Sequence, residues 1–207
     1  MSDRSDLVKV KSYFTERLRA HGASPRGADW NSEQAQRTRF EQLLKVVEIP
    51  TFSILDYGCG SGALADYLED KKLDAQYFGY DMLESAIEMA RQVHAGKSNL
   101  SFTSNKDYLT LVDYTVASGI FNMRADNSNE EWTKYVLGVL NQFNDLSRRG
   151  FTSNFLTSYS DPERMRPDLY YADPGFLFDY CKKKFSNNVA LLHDYRLYDF
   201  TLIIRKE

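Results

Sequence analysis

The chain has 207 residues, a net charge of −3 and two cysteines, Cys59 and Cys181. That length suits one domain with a sizeable core, and the weak, scattered basic charge leaves no footprint for nucleic acid. No apolar run suits a secretory leader or a bilayer span, and two distant cysteines make neither a disulfide framework nor a zinc site, so the composition predicts a cytoplasmic protein without membrane insertion.

Residues 5–20 set Leu7, Val8, Val10, Tyr13, Phe14 and Leu18 at helical spacing, and the Gly- and Pro-containing stretch 21–27 breaks the pattern. A second helix follows Trp30, with Asn31 or Ser32 as its cap, and Ile49-Pro50 stops it. Strand and helix then alternate: strands over 52–57, 75–81 and 100–104, helices over 62–71 and 84–95. This alternation predicts a parallel α/β sheet. Only residues 105–113 separate the third strand from the fourth, 114–120, so the crossover helix is shortened or replaced by a turn. A long helix capped by Ser128 or Asn129 carries Trp132, Val136, Val139, Leu140 and Phe143, and Gly150 closes it. In the fifth strand, 151–158, Asn154 reads as a satisfied core amide. A turn-rich insertion, 159–172, precedes a helix begun by Asp173-Pro174, and a hairpin over 189–206 ends the chain.

The chemistry concentrates at Ile54-Leu-Asp-Tyr-Gly-Cys-Gly-Ser-Gly-Ala-Leu64, the end of a buried strand running through a glycine loop into a helix. Alternate glycines allow a tight turn and close ligand approach, and the helix start points free N–H groups at the same place. Gly58, Gly60 and Ala63 also satisfy the relaxed dinucleotide fingerprint. Asp56 tilts the choice: a carboxylate beside the loop suits the ammonium and sulfonium of S-adenosylmethionine, and it would repel a pyrophosphate. Asp81 closes the next strand, where an acidic group can take both ribose hydroxyls.

Asp56-x-Gly58-x-Gly60-x-Gly62 followed by Asp81 resembles the core signature of the class I S-adenosylmethionine-dependent methyltransferases, specifically over residues 52–91. The resemblance implies a Rossmann-like fold: a seven-stranded, mainly parallel sheet whose last strand inserts antiparallel from a C-terminal hairpin. Residues 1–50 would form an N-terminal helical lid and 51–207 the cofactor-binding core of one domain. The cofactor, S-adenosyl-L-methionine, would be held by Asp56, Gly58, Cys59, Gly60, Gly62, Asp81 and Met82. Asn105 or Asp107 would lie by adenine, with Ser118 at the fourth strand end and Arg39 reaching in from the lid.

Ligands of open α/β sheets bind outside the carboxyl strand ends, which points Phe121, Asn122 and Arg124 at the acceptor. Tyr13, Trp30 and Gln36 of the lid, with Arg164, Arg166, Tyr170 and Tyr171 of the insertion, complete the expected wall. For the proton, His193 beside Asp194 and His21 in the loop are the candidate bases, with Asn122 beside the reacting centre. His94, near a helix end, reads as structural, Cys59 as a small loop residue, and no spacing suggests a metal. These readings converge on methylation of a small polar acceptor, foremost O-methylation of a sugar or hydroxylated acid in glycan or natural-product biosynthesis. N-methylation of a small amine, an NAD(P)-dependent oxidoreductase on the same loop, and a non-catalytic binding fold stay open, as does a homodimer.

Overall fold

The computed structural model describes residues 5–24 and 32–206. Trp30, the Asn31 cap and the Pro25–Gly27 part of the expected hinge lie outside the described residues. Helix α1 spans Ser5–His21 and α2 spans Glu33–Leu44. Ser32 caps α2 by accepting the Ala35 N–H, and two further turns carry the chain to Pro50.

The core follows as β1 (Thr51–Tyr57), α3 (Ala63–Asp70), β2 (Asp74–Tyr80), α4 (Glu84–Val93), β3 (Leu100–Thr103) and β4 (Val112–Ala117). It continues through α5 (Asn129–Leu146), β5 (Ser147–Leu156), α6 (Pro174–Lys184), β6 (Asn188–Leu192) and β7 (Asp199–Arg205). The seven strands lie in the order β3-β2-β1-β4-β5-β7-β6. All pairs up to β4–β5 are parallel, while β7 runs antiparallel to both β5 and β6. The order reverses between β1 and β4, and ligand crevices open at such a reversal.

Apolar side chains fill both faces of the sheet. On one face α2, α3 and α4 bury Phe40, Leu43, Leu64 and Ile87 against Tyr77 and Tyr114. On the other, α5 and α6 bury Trp132, Phe143 and Leu177 against Phe151 and Phe155, and Val10 of α1 joins that cluster. Residues 106–108 make a single 3-10 turn where β3 crosses to β4. The sheet end at Tyr57 and Tyr80 therefore has no crossover helix of its own, and α5 and α1 close over it.

Among the boundaries that differ from the sequence reading, two bear on the site. The long helix stops at Leu146 rather than Gly150, because the Ser147 hydroxyl takes the Phe143 carbonyl at 2.7 Å and the Thr115 hydroxyl at 2.8 Å and the chain turns straight into β5. Gly150 is a strand residue, and its glycine has a packing cause. A Cβ there would stand 2.4 Å from the Ile204 carbonyl oxygen on β7. The fourth strand ends at Ala117, so Ser118 to Ile120 already belong to the loop at the crevice.

Candidate active site

The glycine loop is built by hydrogen bonds from β2. The N–H groups of Gly58 and Cys59 both reach the Tyr80 carbonyl, at 2.7 and 2.9 Å. Gly58, Gly60 and Gly62 have φ of 85, 55 and 89°, a region costly for side-chain-bearing residues. Two of them are also crowded, since a Cβ would lie 2.3 Å from Ile120 Cγ2 at Gly58 and 2.6 Å from His94 Nε2 at Gly62. Gly60 has open space at that position, as a site of close ligand approach requires. Asp81 ties the loop to β2: one carboxylate oxygen accepts the Gly60 N–H and the other the Leu83 N–H, each at 2.9 Å.

Two carboxylates thus stand at the loop. Asp56 is 4% exposed and accepts the Tyr77 hydroxyl at 2.7 Å. Burial pushes its carboxyl up to about 7, the Tyr77 hydrogen bond opposes this, and the Asp81 charge adds to it. Burial also raises Asp81, against the pull of the Leu83 and Gly60 N–H groups. Cys59 is a buried thiol held well above its usual value, first by burial and then by both carboxylates, so it stays a neutral filler of the loop.

A cavity of about 1120 Å³ opens on this loop. It exceeds the usual range of roughly 300–1000 Å³ for one ligand, leaving room for cofactor and acceptor together. Of the expected cofactor set, Asp56, Gly58, Cys59, Gly60, Asp81, Met82, Asn105 and Ser118 line it, as does Asp107. Gly62 stands just behind as the left-handed cap of α3. Arg39 does not line the cavity; its guanidinium pairs with buried Asp199 and the Ala35 carbonyl.

The acceptor wall differs more. Phe121 is fully buried and stacks on Phe155 with ring centres 5.1 Å apart, so it belongs to the core. Arg124 spends its guanidinium on the carbonyls of Asn127, Pro167 and Leu169, knitting the loop after β4 to the insertion. Tyr170 is buried with its hydroxyl on Thr133, and the Tyr171 hydroxyl accepts the Arg166 N–H. Arg166 pairs with Asp168 and takes the Tyr13 hydroxyl, so Tyr13 is a strut between α1 and the insertion. Arg164 stacks over Tyr198. Arg166 and Tyr171 border a separate cleft of about 450 Å³ together with Arg124, and none of Tyr13, Phe121, Asn122, Arg124, Tyr170 and Tyr171 lines the large cavity.

No histidine among the described residues lines the large cavity either. His193 packs between Tyr159 and Phe200, each about 6.0 Å away between ring centres, on the hairpin side of the sheet. His21 is exposed at the end of α1, although its neighbours Gly22 to Ser24 reach the rim. His94 is buried, faces the Ser61 carbonyl at 3.2 Å and stacks on Phe102, supporting the loop from behind. Among the described residues no group of three His, Cys, Asp or Glu gathers to hold a metal, and no helix is long and apolar enough to cross a membrane.

The wall that the sequence reading missed comes from α5 and from the residues beside the motif. Trp132, Tyr135, Val139 and Gln142 recur at helical spacing along one face of α5, the signal that would have exposed them. Tyr57 and Tyr80 are neighbours in strand register, with rings 4.7 Å apart, and Tyr57 reaches Gln142 at 3.3 Å. Lys106 stands over both rings, 5.7 and 5.9 Å from their centres, and Lys11 and Lys134 also enter the wall.

A glycine loop at the sheet reversal, one carboxylate at the end of each flanking strand and an antiparallel β7 define a Rossmann-like methyltransferase architecture. A "Methyltransferase domain" family model matches residues 50–135. The chain is 48% identical over 155 residues, 75% of its length and 93% of the other's, to a Mycobacterium tuberculosis H37Rv protein named "Putative methyltransferase Rv1506c". The fold is similar to the magnesium protoporphyrin IX methyltransferase of Synechocystis PCC 6803 with bound SAH (TM-score 0.64, 16% identity, 98% of this chain and 100% of that one). It is also similar to the N-methyltransferase NodS of Bradyrhizobium japonicum WM9 with S-adenosyl-L-homocysteine (TM-score 0.66, 13% identity, 95% and 97% covered). The chain belongs to the class I S-adenosylmethionine-dependent methyltransferases, and S-adenosylmethionine is its methyl donor.

The residues present fit that donor: an open cradle at Gly60 and two carboxylates for a cationic ligand that also bears ribose hydroxyls. With the cationic end of the donor beside Asp56, the raised carboxyl would make binding depend on pH: a cation there favours the ionised form, so binding would expel a proton below about pH 7. Affinity for S-adenosylmethionine should therefore rise about tenfold from pH 5.5 to 7.5 by calorimetry, and Asp56→Asn should flatten the rise. An equal slope in the variant would contradict this assignment. The same shift has the opposite effect on the free protein: Asp56's contribution to stability is complete below the ordinary carboxylate range and is lost as pH rises through about 7.

Proposed function

We propose that this methyltransferase acts on a small polar acceptor bearing a carboxylate or phosphate, and that the methyl group goes to oxygen. Acidic sugars and hydroxylated acids of glycan or natural-product biosynthesis fit this description. The observation that carries the reading is the placement of Lys11 and Lys106, from α1 and the turn after β3, on one cavity, with Lys134 of α5 in the same wall paired to Glu130. They line the same space as the Tyr57, Tyr80 and Tyr135 rings, which would pack against the body of an acceptor. The arginines of the insertion are not part of this wall; the lysines take the role expected of them.

The donor supplies an electrophilic methyl group on sulfur, so the protein's task is to align the acceptor and keep water out. Burial lifts the Tyr57 and Tyr80 phenols far above neutrality, so they donate hydrogen bonds and do not serve as bases. N-methylation is the second reading, favoured because no described histidine lines the cavity and a neutral amine needs no strong base. With the true acceptor, Lys106→Met should raise the acceptor KM about tenfold and leave cofactor affinity unchanged. His21→Ala and His193→Ala should leave turnover within about twofold. A rate that climbs with pH only through the acceptor's own amine ionisation would select nitrogen, and an unchanged acceptor KM in Lys106→Met would sink the anion reading.

Helix α1 is also proposed to act as a cover over the acceptor end. Its Leu7, Val10, Lys11 and Phe14 line the cavity, while Lys9 pairs with Asp126 and Tyr13 with Arg166 on the far rim. Hydrogen exchange across residues 5–21 should slow on addition of S-adenosylhomocysteine. Identical exchange with and without it would remove the cover from the account.

A further inference from the structure

We infer that Arg39, Asp199 and Asn154 form a buried relay that sets the polarity of the cofactor cavity at the end of β4, although none of the three lines it. The chain of contacts is continuous. Arg39 of α2 pairs with one carboxylate oxygen of Asp199 at the start of β7. The other oxygen accepts the Asn154 side-chain amide of β5 at 3.0 Å. The Asn154 carbonyl then accepts the Gly119 N–H at 2.9 Å, and Gly119 is part of the cavity wall. Asn154 is 0%, Asp199 1% and Arg39 8% exposed, so the relay runs through the protein interior.

Each link has one workable direction. An ionised carboxylate only accepts, so the Asn154 NH₂ must face Asp199 and its oxygen must face Gly119. Arg39 donates to Asp199, and a buried, charge-assisted chain of this kind strengthens its last bond. The Gly119 N–H is thereby turned towards β5. The 118–119 peptide is trans, so the Ser118 carbonyl points the opposite way, towards β1, the other neighbour of β4. On that side stand Asp56 and the glycine loop, close enough that Ile120 abuts Gly58.

The relay therefore turns a carbonyl oxygen to the same side as the Asp56 carboxylate, two acceptors matched to the cationic amino-acid end of the methyl donor. Gly119, at φ of 74°, has the freedom to turn its peptide over if the N–H is released. A flipped peptide would aim a donor at the bound cation. Arg39, Asp199 and Asn154 are thus positioning residues for the amino-acid end of the cofactor. This assignment takes the cofactor as established above and is independent of the acceptor.

The test compares two ligands on the full chain by calorimetry: S-adenosylmethionine, and 5′-methylthioadenosine, which keeps the adenosine and lacks the amino-acid end. Asn154→Ala should weaken S-adenosylmethionine about tenfold or more and 5′-methylthioadenosine by less than about twofold. Arg39→Lys, at the outer end of the relay and retaining the charge, should show the same selectivity at about threefold. Thr152→Val, an equally buried residue of β5 that pairs with Ile203 and makes no hydrogen bond to the relay, should change neither ligand. Equal weakening of both ligands, or no weakening in the folded variants, overturns the inference. If Asn154→Ala does not fold, Arg39→Lys decides by the same comparison. A parent protein that binds neither ligand would instead refute the cofactor assignment itself, a separate failure.

Discussion

The carboxylate of Asp81 spans two loops, accepting the Gly60 N–H on one oxygen and the Leu83 N–H on the other. It holds the glycine loop, which follows β1, against the start of the segment leading into α4. Without that bridge, two half-buried N–H groups would lose their partner and the left-handed turn at Gly60 would lose its anchor. The tie also fixes the spacing between Asp56 and Asp81, the two charges that suit the cavity to a cationic ligand bearing ribose hydroxyls. Both carboxyls are raised by burial, a strain that a bound cation relieves at Asp56. A donor held at Asp56 and Asp81 would therefore tie cofactor affinity to the shape of the free loop.

The second constraint is the short connection between β3 and β4. A single turn at Lys106–Tyr108 stands where a crossover helix would otherwise cover the sheet end. The Tyr57 and Tyr80 rings, on the side of the sheet away from Asp56, border the cavity as a result. Lys106 is brought over them by the same turn. One deletion in the topology thus joins a cofactor site to a larger chamber, and α1 and α5 supply its remaining walls.

The glycine-loop end of this arrangement was legible in the sequence because it is local. The glycine spacing, Asp56, Asp81 and the short 105–113 connection lie within one stretch, and their roles follow from strand and helix ends. Strand order was legible only through the family resemblance, since a hairpin at the chain end does not reveal where its last strand inserts. The acceptor wall was misread for a physical reason. Arg124, Arg166, Tyr13 and Tyr170 look like ligand-binding groups in the sequence, but the long insertion needs them to tie down its own carbonyls and hydroxyls. His193 was judged by its residue type, and the hairpin carries it to the opposite side of β5 from the cavity. Asn154 looked like a satisfied core amide; it is one, and the group it satisfies is the peptide at the rim.

The central claim is that Asp81 both shapes the glycine loop and receives the cofactor. Isothermal calorimetry of the parent and of Asp81→Ala against S-adenosylmethionine, with NAD as the competing ligand, tests it directly. The account predicts binding of S-adenosylmethionine and not of NAD by the parent. It predicts a loss of about 2–4 kcal/mol in Asp81→Ala, on a protein that still melts cooperatively. Undiminished S-adenosylmethionine binding by the variant, or tighter binding of NAD by the parent, would contradict it.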